Sequence, residues 1–144
     1  MCSPLLLSGT KPLQEPTDLR FHNLLHDGSR RAWKAWFTTQ GFKNFNVNQG
    51  PIFSHSSMVL QAAIHGQGVA LAHNVLARPD INSGRLIVPF NHVLISKDAY
   101  YLVCRESQTE LGKITAFRQW MVSMVEAEQA AFAEQQFTNA VALD

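Results

Sequence analysis

GPIFSHSSMVLQAAIHGQGVAL, residues 50–71, passes from an apolar run through a serine cluster into a helical stretch, and leaves it through two glycines. Val47–Phe53 alternates as a strand does. Ser54 or Ser56 stands where a helix needs a cap, and Val59, Leu60, Ala63 and Ile64 form the stripe that helix would bury. Gly66 ends it, and Gly68 opens a strand over Val69–Ala72.

The neighbouring segments extend the pattern. Ser3-Pro4 starts a short helix over Pro4–Leu7, so early that the chain reads as cut from something longer. Asp18–Phe21 is expected to make one helical turn and Asn23–His26 a short strand. Ser29 is expected to cap a helix over Arg30–Gln40, with Trp33, Trp36 and Phe37 on one face and Gly41 at its end. Asn74–Ala77 is a short helix that Pro79 should stop. Leu86–Pro89 and Ala99–Arg105 are strand candidates. Thr109 is expected to cap a long final helix with Ile114, Phe117, Met121 and Val125 on one face. Strands alternating with helices across short loops predict an α/β layer with parallel pairs. The last helix has too little sheet before it to cover its apolar side.

At 144 residues the chain is long enough for one modest domain with a core of its own. A 46% apolar and 16% charged composition argues for a folded chain. A net charge of +1, with no basic patch beyond Arg30-Arg31, gives no electrostatic case for nucleic acid binding by these residues. Two cysteines, Cys2 and Cys104, fit a reducing cytoplasm better than a disulfide scaffold. No apolar run has the length of a membrane span, and "MCSPLLLSGTKP" lacks the basic region of a signal peptide.

Three chemistries fail on spacing. A hydrolase nucleophile turn reads G-x-S-x-G, whereas Ser54 follows Gly50 by four positions. A dinucleotide loop runs strand, glycines, helix, and "HGQGVAL" has the reverse order. His22 and His26 flank a turn into a strand, His55 and His65 lie at opposite ends of one helix, and His73 and His92 lack a third ligand, so no metal site is expected. The strand–helix junction at Phe53–Ser56 keeps its interest. A helix N-terminus with hydroxyls beside it favours a carboxylate or phosphate. In an open α/β sheet, ligands lie beyond the carboxyl ends of strands, where His26, Phe53 and His73 also fall.

Cys2-Ser3-Pro4, "DLRFHNLLHDGSRRAWKAWF", "GPIFSHSSMVLQAAIHGQGVALA", "SGRLIVPF" and "YYLVCRESQTELGKITAFRQWM" occur in the order found in LysR-type transcriptional regulators, and the chain resembles that family over residues 2–125. The resemblance implies a periplasmic-binding-protein-like (type 2) α/β effector domain, represented here by its second subdomain and the last strand and helix of an incomplete first one. On that reading residues 1–98 are the second effector-binding subdomain, 99–126 the crossing strand and C-terminal helix of the first, and 127–144 a helical or frayed tail.

The same resemblance implies a cytoplasmic regulator that binds a small-molecule effector in a cleft between subdomains. The parent protein would be a homo-oligomer, reaching DNA only through an N-terminal helix-turn-helix domain missing from this chain. No membrane, cofactor, metal or catalytic residue is implied. Ser54, His55, Ser56, Phe53, His26, His73 and Tyr100 are the expected effector-binding residues, with Tyr100 and Tyr101 facing opposite ways along a strand. Met58, Gln61, Ala62 and His65 form the outer face of the same helix, suited to an interface. Two other classes stay open: a small α/β hydrolase-like enzyme using His55 or His73 as base, and a transport-type small-molecule binding protein.

Overall fold

The computed structural model describes residues 1–42, 44–95 and 99–141, with side chains through 130. The chain divides into two compact units, Met1–Leu94 and Ile95–Asp144.

The first unit is built on three parallel strands in the order β2-β1-β3: β1 (Leu24–Asp27) in the centre, β2 (Ile52–Phe53) and β3 (Val69–Ala70) beside it. The register pairs His26 with Ile52 and Asp27 with Phe53 on one side, and Leu24 with Val69 and Leu25 with Ala70 on the other. Consecutive strand residues point to opposite faces. Leu24 and Val69 enter one core with Trp33, Trp36 and Phe37 of helix α1 (Arg31–Thr39). Leu25 and Ala70 enter a second core with Val59, Leu60, Ala62 and Ala63 of helix α2 (Ser56–Ile64) and Ala77 of helix α3 (Asn74–Asn82). The sheet is therefore covered on both faces, which is why its central strand reads Leu-Leu without polar alternation. Trp33 is 2% exposed, and its ring N–H donates to the Leu25 carbonyl at 3.1 Å, tying α1 to β1.

Two glycines set how closely the outer strands approach. Gly50 has φ +90°, and a Cβ there would fall on the Leu24 carbonyl and amide of β1. Gly68 lies equally close to the backbone of Asn23, whose carbonyl accepts from Val69 N at 2.9 Å. Beside β3, Met1 exchanges two backbone bonds with Ala70 (2.8 and 2.9 Å) and Cys2 exchanges two with Ile87. Burial lowers the Met1 amine to a pKa of about 6, with the nearby Cys2 opposing the shift.

Several expected elements change. The strand over Val47–Phe53 contracts to Ile52–Phe53, because the chain turns through positive φ at Gly50. Leu86–Pro89 reduces to one antiparallel bridge, Cys2 to Ile87. Pro79 does not stop α3, which runs to Asn82. Its packing through buried Ala77 and the Asp80–Arg85 ion pair (2.6 Å) carry it past the proline, and Gly84 at φ +73° follows its end. Ala62, placed on the outer face of α2 by its spacing, is 6% exposed and belongs to the core.

In the second unit the expected strand over Ala99–Arg105 is extended chain outside any strand among the described residues. Tyr100 and Tyr101 are both exposed, at 74% and 81%, so neither ring turns into a core. Thr109 ends a 3₁₀ turn (Glu106–Gln108) instead of capping the final helix. That helix, α4, spans Gly112–Val141 and begins on the Leu111 carbonyl, which accepts from Ile114 N and Thr115 N. Phe117, Trp120, Met124 and Val125 stand about half exposed along it. No helix among the described residues is long and apolar enough to cross a membrane.

Candidate functional site

The carboxyl ends of β1 and β2 lie side by side, because Asp27 pairs with Phe53. Gly28 N donates to the Phe53 carbonyl at 2.8 Å, so the chain leaves β1 still bonded to its neighbour. Beyond Phe53 come Ser54, His55 and the first turn of α2. His55, exposed and extended (φ −139°, ψ 134°), is the residue that starts this helix, its carbonyl accepting from Met58 N at 3.0 Å. Neither serine caps it. The Ser56 hydroxyl donates to Asp27 Oδ2, and Ser54 Oγ lies 2.9 Å from His55 Nδ1. α2 has no side-chain cap and no acidic residue of its own in the first turn, so its N–H groups face the sheet edge, where the Asp27 carboxylate is the negative charge beside them.

The other expected residues fall as follows. Phe53 is half-buried and packs against the α2 core. His26 is 1% exposed, and its Nε2 lies 3.0 Å from the Gln49 carbonyl, so it braces the wall behind the junction. Its Nδ1 is buried without a partner among the described residues. His73, exposed, starts α3 beyond the end of β3, as His55 starts α2 beyond β2. Tyr100 belongs to the second unit.

Three residues of the junction were not singled out from sequence. Asp27 ties the first turn of α2 to the end of β1; an acid directly after the strand run "NLLH" was the available signal. Arg30 Nη2 donates to the carbonyls of Asn48 (2.9 Å) and Gly50 (3.4 Å). The Gln49 side chain donates to Leu19 O (3.0 Å) and His22 O (2.8 Å). Together they pin the segment that feeds β2. No group of three His, Cys, Asp or Glu among the described residues could hold a metal ion.

The arrangement can hold a small polar molecule, with hydroxyls, imidazole and the Asp27 carboxylate at the helix start. It lacks the relay of a hydrolase, because hydroxyl–imidazole and hydroxyl–carboxylate contacts form two separate pairs: Asp27 holds Ser56 and does not orient His55.

Residues 1–126 match the model of the LysR substrate binding domain. The chain is 63% identical over 132 residues to the glycine cleavage system transcriptional activator of Escherichia coli K12, covering 92% of this chain and 43% of that protein. It is 38% identical over 131 residues to the glycine cleavage system transcriptional activator homolog of Haemophilus influenzae, covering 90% and 42%. Among solved structures it resembles the effector domain of the transcriptional regulator AmpR of Pseudomonas aeruginosa, with TM-score 0.71, 29% identity and coverage of 90% of this chain and 62% of that one. The AmpR effector binding domain from Citrobacter freundii gives TM-score 0.71 and 27% identity, with coverage of 88% and 62%. The chain thus spans less than half the length of these curated relatives.

Proposed function

Because the chain belongs to the LysR substrate binding domain family, we propose that it is the effector-sensing part of a transcriptional regulator similar to the glycine cleavage activators. Residues 1–98 would be the second subdomain, 99–126 the last extended segment and helix of an incomplete first one, and 127–144 a tail. A small metabolite would bind against Ser54, His55 and Ser56, with Asp27, Phe53 and His73 beside them and His26 bracing the wall. The supporting observation is the junction itself: an uncapped helix start tied by Ser56 to Asp27 at the carboxyl edge of a parallel sheet.

DNA binding would come from a segment outside this sequence, the parent regulator would be a cytoplasmic homo-oligomer, and the chain would catalyse nothing. The outer face of α2, with Met58, Gln61 and His65 exposed, would contribute to that oligomer. A ligand shifts the arrangement of two subdomains only by binding one arrangement more tightly than the other. Each tenfold preference corresponds to about 1.4 kcal/mol.

The test uses the full-length regulator that carries this chain. Small amino acids and purines are screened by thermal shift, since a ligand specific to the native state raises Tm. Transcriptional dose–response is then compared for Ser54→Ala and Ser56→Ala. Both variants should need at least tenfold more effector. An unchanged dose–response in both would remove the junction from the effector site.

A further inference from the structure

A cavity lies on α1, and Arg30 is the residue it shares with the effector junction. Its volume is about 490 Å³, within the range of small-molecule clefts, and Arg30, Arg31, Lys34, Phe37, Phe42 and Phe45 line it. Arg31, Lys34 and Thr38 follow at helical spacing on the exposed side of α1, while Trp33 and Trp36 face the sheet.

Charge and shape here are both one-sided. Three cations line the cavity, and the remaining lining residues include no carboxylate. Among the described residues neither Arg31 nor Lys34 forms an ion pair. The first turn of α1 also lacks an acidic residue, so Arg30 and Arg31 add positive charge to the positive end of a helix. Arg30 is held in place through its bonds to Asn48 O and Gly50 O, with its Nε buried and without a partner among the described residues. Beside these cations the aromatic wall is ordered: Phe37 and Phe45 stack with centroids 3.8 Å apart, and Phe42 stands edge-on to both, at 6.0 and 6.3 Å.

We propose that this cavity binds a small anion carried on a flat apolar ring, an aromatic carboxylate or phosphate ester. Arg31 and Lys34 hold the charged head, which guanidinium matches by paired hydrogen bonds. Phe42 and Phe45 pack on the ring.

The experiment is isothermal titration calorimetry on the whole chain at low micromolar concentration. The probes are phenyl phosphate, benzoate, inorganic phosphate and benzyl alcohol. Phenyl phosphate or benzoate should bind saturably, the tighter of the two identifying the head group, while inorganic phosphate and the uncharged ring bind at least tenfold more weakly. Arg31→Glu combined with Lys34→Glu should weaken binding tenfold or more with the circular dichroism unchanged, and Arg31→Gln should fall between. The proposal is overturned if these variants bind as the unaltered chain does, or if inorganic phosphate binds as tightly as phenyl phosphate. It is equally overturned if Ser56→Ala abolishes the binding, which would move the ligand to the effector junction.

Discussion

Replacing Gly50, Gly68 and Gly84 one at a time by alanine separates two costs that Gly50 combines. Gly84 has φ +73° with nothing within 4 Å of an added Cβ, so Gly84→Ala carries the conformational cost alone, about 1 kcal/mol. Gly68 has no left-handed φ, but its Cβ would collide with the backbone of Asn23. Gly68→Ala should therefore cost about 1–3 kcal/mol through overpacking. Gly50 meets both conditions, at φ +90° and against Leu24 N, C and O. Its alanine variant should lose about 3–5 kcal/mol, a large share of the roughly 5–15 kcal/mol that holds an ordinary domain folded. Urea unfolding followed by tryptophan fluorescence reads the difference, since Trp33 and Trp36 are each 2% exposed in the unit that contains all three glycines. If Gly50→Ala proves no more costly than Gly84→Ala, β2 does not approach β1 as closely as described.

In the isolated 144-residue chain the amine at Met1, lowered from 8.0 to about 6 by burial, binds fewer protons folded than unfolded between those values. Stability should accordingly fall as pH drops from 8 to 6 and level off below, by up to about 3 kcal/mol, and N-terminal acetylation should flatten that part of the profile in urea titrations. Trp33→Phe deletes the donor to Leu25 O and part of a ring 2% exposed, so a loss of about 1–3 kcal/mol is expected in the same denaturation assay. The isolated chain should self-associate, because Tyr101, Val103, Phe117 and Trp120 are each at least half exposed. Sedimentation showing a clean monomer at high concentration would mean that these side chains are covered within the chain.

Much of the first unit was legible because its signals are local. Trp33, Trp36 and Phe37 recur at helical spacing and do form the buried face of α1. The βα alternation gave parallel pairing, and the motif order gave the family, which the match over residues 1–126 bears out. What escaped depends on partners far along the chain. The serines of "SHSS" carry cap propensity, yet the Ser56 hydroxyl goes to Asp27, 29 positions earlier. Ala62 sits outside the α2 stripe by spacing, but a helix between sheet and α3 buries a wider arc. Pro79 is a local breaker overridden by tertiary packing. A strand over Ala99–Arg105 fits the residue types, but pairing requires a neighbour that residue types cannot supply.

The two crowded glycines both lie before strands, at the amino-terminal edge of the sheet, whereas Asp27, Ser54–Ser56 and His73 lie at the carboxyl edge. This divides the sheet into a conservative margin and a permissive one. At the first margin, lengthening a loop or adding a methyl group displaces backbone that β1 cannot yield, so variation there should be purged whatever molecule is sensed. At the second, side chains project beyond the last ladder bonds and can be exchanged without disturbing the strands. Paralogues that respond to different metabolites should diverge at the permissive margin while retaining glycine at positions equivalent to 50 and 68. New sensory specificities could then be selected, or built in the laboratory, by rewriting Ser54, His55 and His73, exposed side chains of that margin.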